Sequence, residues 1–185
     1  MSVFPWFVVV LLMTPGLVFA QHRHSPYVGQ EQRQIKALSD AELQALLDGR
    51  GMGLAKAAEL NHYPGPMHVL ELATQLHLSE AQRTATQQLY DRMRAEAARL
   101  GQQIVAQERE LDRLFADHDA AGPKLQAVVR EIARLQGELR LVHLQAHVDM
   151  KALLSPEQVA TYDALRGYGT HGHSSASPQH RHGRQ

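Results

Sequence analysis

SEAQRTATQQLYDRMRAEAARLGQQIVAQERELDRLFAD, residues 79–117, and PKLQAVVREIARLQGELRLVHLQAHVDMKALL, residues 123–154, decide the fold. In the first stretch apolar side chains recur at Ala85, Leu89, Met93, Ala97, Leu100, Ile104, Leu111 and Leu114/Phe115. In the second they fall at Leu125, Val128, Ile132, Leu135, Leu139, Val142, Ala146, Met150 and Leu153. Steps of three and four put each set on one face of an α-helix. His118-Asp119-Ala120-Ala121-Gly122-Pro123 reads as the turn between them. The first helix would be about 58 Å long. Two such helices form a thin antiparallel hairpin that leaves apolar surface uncovered, so short helices or a second chain must pack on it.

Both long stretches are bounded by helix-start signals. Leu38-Ser39-Asp40-Ala41-Glu42, Leu78-Ser79-Glu80-Ala81-Gln82 and Leu154-Ser155-Pro156-Glu157-Gln158 share one pattern, a Ser with Glu or Gln three residues on. In such a capping box the Ser oxygen accepts an orphan N–H and the Glu or Gln accepts the cap's own amide. Each cap contributes about 1 kcal/mol. Shorter helices are expected over 39–60, interrupted at Gly49-Arg50-Gly51-Met52-Gly53, over 66–77, and over 156–166 before Gly167. No segment alternates as a strand does. The expected fold is all-α, a long antiparallel helical hairpin with short flanking helices. Gly101 and Gly137, inside the long helices, read equally as weak spots or as points of close contact.

Composition narrows the function. The chain has 185 residues, and 19 Lys plus Arg balance 19 Asp plus Glu, so there is no basic excess to favour nucleic acid. Without a cysteine, disulfides, thiolate zinc sites, Cys nucleophiles and a lipid anchor on Cys are excluded. Residues 1–20 carry no charge, and Val8 to Met13 is a short apolar run broken by Pro15-Gly16. Val18-Phe19-Ala20 then offers a cleavage site, so this reads as a secretory signal peptide and not as a span of the mature protein. Residues 21–35 are expected to be a polar, mobile arm, 36–168 a helical domain, and 169–185 a disordered His-rich tail. Export and the lack of cysteine together point to the periplasm.

The Leu-Ser-x-x-Gln signature at Leu78–Gln82 and Leu154–Gln158, flanking a charged helical hairpin behind a signal peptide, resembles the LTxxQ family of Spy/CpxP-type chaperones and heavy-metal-sensing proteins. The resemblance covers residues 64–168. It implies an all-α hooked hairpin, usually dimeric. Family members hold unfolded clients without ATP, modulate envelope-stress signalling, or bind zinc, copper, nickel or cobalt. Metal-sensing members place a His pair ahead of the first long helix and a His and Met near the end of the second. Here the first region offers His68, with Glu71 one turn on, and residues 38–61 form an extension outside the resemblance.

His143, His147 and Met150 share one helix face, at i, i+4 and i+7. Imidazoles at that spacing chelate Zn²⁺, Ni²⁺ or Co²⁺, and a thioether shifts the preference toward copper. His68 and Glu71 could close the site from the helix that folds back. The bland alternative is that Met150 belongs to the apolar stripe and the histidines to its edge. Half of the 12 histidines are in the tails: His22 and His24, then His171, His173, His180 and His182, where weak metal capture is expected.

Catalysis finds no footing. Ser39, Ser79 and Ser155 are all used as caps, no HExxH occurs, and the carboxylates stand beside arginines on helix surfaces. Rows that include Leu89, Met93, Leu100, Ile104 and Leu139 would form either a client-holding face of a curved dimer or a buried homodimer interface. The expectation is a non-enzymatic, metal-responsive periplasmic binding protein, with an envelope sensor protein as possible partner. The alternative is an ATP-independent chaperone of unfolded clients, and the third reading a plain structural adaptor.

Overall fold

The computed structural model describes residues 25–168. The signal peptide expected at 1–20, and the tail histidines at 22, 24, 171, 173, 180 and 182, lie outside the described residues. Six α-helices follow one another: α1 (Asp40–Leu47), α2 (Lys56–Glu59), α3 (Pro66–Glu71), α4 (Glu80–Ala116), α5 (Gly122–Leu153) and α6 (Pro156–Arg166). The described residues contain no strand, so the protein is all-helical. Before α1, Gln30–Gln32 forms a 3-10 turn and Ile35 is buried.

All three capping boxes form. Ser39, Ser79 and Ser155 each accept from the N–H three residues on, at 3.2 Å. The Glu42, Gln82 and Gln158 side chains accept in return from the cap amides, at 2.9, 3.0 and 2.9 Å.

The two glutamines do more than cap. Gln82 Nε2 donates to Gln158 Oε1 at 2.8 Å, and Gln158 Nε2 donates to Gln82 Oε1 at 3.1 Å. Their second amide hydrogens go to the carbonyls of Leu153, at 3.0 Å, and Leu76, at 3.1 Å. A glutamine amide has two donors and two acceptor lone pairs. In both residues all four are used. A carboxylate cannot donate, so Glu42 could cap but could not join such a pair.

α4 and α5 bury the stripes read from the sequence against each other. Leu89 shares a cluster with Ala146 and Met150, whereas Leu100 and Ile104 share one with Leu135 and Leu139. The order reverses, so the two helices run antiparallel. His118 (φ 55°) and Gly122 (φ 44°) turn the chain between them.

The short elements complete the core. Val69, Ala73, Leu76 and Tyr162 fill the first cluster, and Ile35 and Leu46 cover the second. Leu89, Leu100, Ile104 and Leu139, rows expected at a client or dimer face, are therefore buried within the single chain, and Met93 is partly buried beside them. The extension that the family resemblance leaves out supplies Leu46 of this cover, over the second cluster.

The interruption expected at Gly49–Gly53 separates α1 from α2: the helix ends at Leu47, and Gly49, at φ 65°, runs against α4. A Cβ there would stand 2.5 Å from the Arg94 carbonyl oxygen, so only glycine satisfies both geometry and space. The helix expected over 66–77 leaves α geometry after Glu71, and His77, at φ 49°, redirects the chain into the Ser79 cap. Gly101 is a close-contact glycine: an added Cβ would stand 2.6 Å from the carbonyl carbon of Leu46 on α1. Around Gly137 a Cβ would meet nothing within 4 Å.

Candidate metal-binding cavity

His143 occupies the α5 stripe position between Leu139 and Ala146, where the two apolar clusters meet, and is only 3% exposed. A cavity of about 620 Å³ opens at that junction. α5 contributes His143 and His147, α4 contributes Met93 and Arg94, and α3 contributes Met67 and His68. The Gly49–Gly53 loop and Glu59 of α2 close the remaining side. The stripe delivers His143 and one more turn delivers His147. The Gly49–Gly53 loop and Glu59 come from the extension, which has no such periodicity.

Both imidazoles are suited to donate a lone pair. Burial, and then the neighbouring His147, lower the His143 pKa below the ordinary 6.5, which favours the neutral ring. Its Nε2 is buried and has no hydrogen-bond partner. His147 Nδ1 lies 2.7 Å from the carbonyl oxygen of Tyr63. A carbonyl only accepts, so this nitrogen carries the proton and Nε2 keeps its lone pair. Lys151 holds the Tyr63 ring from above, 3.9 Å from its centre. Gly65 packs directly against the His147 ring: a Cβ there would stand 2.9 Å from Cε1, 3.0 Å from Nε2 and 3.6 Å from Glu59 Oε2, so a side chain at position 65 would push the ring aside.

Glu59 links this region to α6. Its Oε1 accepts from the Tyr162 hydroxyl at 2.6 Å and the Tyr168 hydroxyl at 3.2 Å, with Arg166 Nε 3.3 Å away. Burial, with the bond to Glu59 second, raises the Tyr162 pKa above its ordinary 10.0. Glu59 Oε2 is buried without a hydrogen-bond partner, 3.7 Å from His147 Nδ1. Nothing in the Lys56-Ala57-Ala58-Glu59 sequence marks this residue, which reads as a solvated helix face. Its burial depends on where Tyr162 lands.

The remaining expected ligands fall differently. Met150 is fully buried in the first apolar cluster and does not line the cavity. His68 does line it, and its Nδ1 lies 2.9 Å from Glu71 Oε2. Glu71 is turned outward, so its geometry is that of a carboxylate orienting a histidine. Among the described residues, no three His, Asp or Glu side chains are gathered closely enough to form a ready-made metal cage.

The buried His143 has a consequence for the metal-free protein. Its imidazole binds a proton less readily when folded than when unfolded, so stability rises with pH below 6.5 and is flat above. The slope approaches at most about 1.4 kcal/mol per pH unit. Urea unfolding with a chelator present, at about pH 7.5 and about pH 5, should show this loss on acidification, and His143→Gln should flatten it. Equal slopes in the two proteins would show that His143 is not the group responsible.

Among the described residues, no helix is long and apolar enough to cross a membrane. No curated protein and no solved structure matches the chain. A family model described as LTXXQ motif family protein matches residues 65–166, more than half of the sequence. That span holds both Leu-Ser-x-x-Gln copies, whose glutamines bond to each other across the start of α4 and the start of α6. The chain belongs to the LTXXQ motif family, of the Spy/CpxP type.

Proposed function

We propose that this protein is a metal-responsive binding protein of the periplasm, with the metal held in the cavity by His143 and His147. The observation that carries the reading is the pair of imidazoles one turn apart on α5. One has a buried, unpartnered Nε2, and the other has its tautomer fixed by the Tyr63 carbonyl. His147 Nε2 and the free Glu59 Oε2 both lie beside Gly65, an imidazole and a carboxylate oxygen of the kinds that bind a borderline cation. His68, oriented by Glu71, stands on the opposite wall as a further donor. A metal bridging α5 to the 59–68 segment would favour the closed arrangement by its higher affinity for it. The pinned segment is then the part that a partner, an envelope sensor protein, would read. In this reading the mature chain is a hooked hairpin that pairs as a homodimer and carries no catalytic centre.

The test is calorimetric titration of the exported chain with Zn²⁺, Ni²⁺, Co²⁺, Cu²⁺ and Cu(I). His22, His24, His171, His173, His180 and His182 are replaced by Gln to silence the tails. Binding at about micromolar affinity or tighter is expected for at least one ion, and its loss in His143→Ala/His147→Ala. Gly65 has φ −86° and ψ 140°, which alanine adopts without strain, so Gly65→Ala displaces the His147 ring while leaving the backbone as it is. It should weaken binding by roughly tenfold with helix content unchanged. Ion binding that survives the double histidine change would overturn the assignment.

A chaperone reading rests on a separate surface. Leu141 and Val148, two turns apart on α5, and Phe115 near the α4–α5 turn are all exposed. Such side chains suit either a client's apolar segment or a second copy. Suppression of client aggregation that persists with a chelator present would favour it over the metal reading.

A further inference from the structure

Three of the four methionines among the described residues, Met52, Met67 and Met93, line the cavity that holds His143 and His147. They arrive from three elements: the Gly49–Gly53 loop, α3 and α4. Met52 is the least expected. Its φ is 44°, in the left-handed region where glycine is at ease, in a loop that already has glycines at 49, 51 and 53. A non-glycine residue there costs about 1–3 kcal/mol of backbone strain, and such positions cluster at ligand sites. Nor is Met52 withdrawn into the core, since it is 44% exposed beside the cavity.

The oxygen donors on the same walls are largely engaged. Asp48 is bonded to Gln44 and Arg50, and Glu59 Oε1 to Tyr162 and Tyr168. What is left is three thioethers, the neutral imidazoles and one carboxylate oxygen, Glu59 Oε2. Hard ions require oxygen, and zinc favours imidazole, carboxylate or thiolate, whereas thioether sulfur selects Cu(I).

We infer that the cavity is a site for a soft monovalent ion, Cu(I), which draws its donors from among the thioethers of Met52, Met67 and Met93 and the imidazoles of His143 and His147. This deepens the proposed metal reading and rests on it. It also gives the strained Gly49–Gly53 loop a role, carrying a sulfur donor on a segment that glycines allow to move onto the ion.

The experiment is anaerobic competition for Cu(I) against a chromogenic Cu(I) chelator, with Zn²⁺ titrated in parallel, on the full exported chain with its tail histidines replaced. Met52→Leu/Met67→Leu/Met93→Leu keeps volume and apolarity, so the fold is retained, as circular dichroism would verify. Cu(I) affinity should fall by roughly tenfold or more while Zn²⁺ affinity stays within about twofold. X-ray absorption of the Cu(I)-loaded protein should show sulfur bound to copper, lost in the leucine variant. If Cu(I) affinity is unchanged in that variant but lost in His143→Ala/His147→Ala, the inference falls and the metal reading stands. If both variants bind Cu(I) and Zn²⁺ unchanged, both fall.

Discussion

Gly101→Leu is expected to destabilise the protein by about 3 kcal/mol or more, close to the upper end of what overpacking costs. The atom that an added Cβ would meet is backbone, the Leu46 carbonyl, and not the flexible end of a side chain. α1 must therefore leave α4 as a unit, exposing Ile35 and Leu46 from the second cluster. Even Gly101→Ala, which gains about 1 kcal/mol of helix propensity, should be a net loss. Gly137→Ala is the internal control. With nothing within 4 Å it should stabilise by about 0.5–1 kcal/mol. Denaturant unfolding followed by circular dichroism separates the two. The same sign of change for both alanine variants would refute the close-contact role of Gly101.

Gln82→Glu should cost about 2–3 kcal/mol, and so should Gln158→Glu. The substitution is chosen because glutamate still accepts the Ser79 or Ser155 amide, leaving the cap intact, as Glu42 does at Ser39. What disappears is donation: the Leu153 or Leu76 carbonyl loses its partner, and a carboxylate faces the other amide's oxygen. In a double-mutant cycle the two changes should not add, because they share one pair of bonds. The double variant places two carboxylates together, which raises their folded pKa values above the unfolded ones. Its stability is then greatest at low pH, where a protonated carboxyl can donate, and is lost as pH rises through the raised values. If both single variants stay within about 0.5 kcal/mol of the parent, the amide pair is not a stabilising element.

What could be read from the sequence was what depends on near neighbours. A cap needs residues three apart and a stripe needs residues three or four apart, so α4, α5, α6 and every capping box were legible. Gly49 and Gly101 were visible as glycines, but the carbonyls of Arg94 and Leu46 that require them are distant in the chain. In the cavity, His143 and His147 were legible because one helix carries both. Glu59, Gly65 and Tyr63 were not, since their roles depend on how an aperiodic segment drapes over α5. Met150 followed its stripe into the core, while the methionines that do line the cavity sit outside the long stripe of α5. Helix periodicity says which face a residue shares, and the third dimension decides which faces meet.

The paired amides also bear on how the molecule opens. Gln82 and Gln158 are 76 residues apart, yet each commits both donors and one acceptor lone pair to the other's end of the chain, the remaining lone pair serving its own cap. Fraying at the start of α6 therefore unseats the first turn of α4, and fraying at α4 frees α6. The two helix starts behave as one exchange unit, with a shared protection against hydrogen–deuterium exchange well above that of ordinary helix termini. A sequence motif repeated twice thus acts once, as a single cooperative closure holding the two ends of a long loop together.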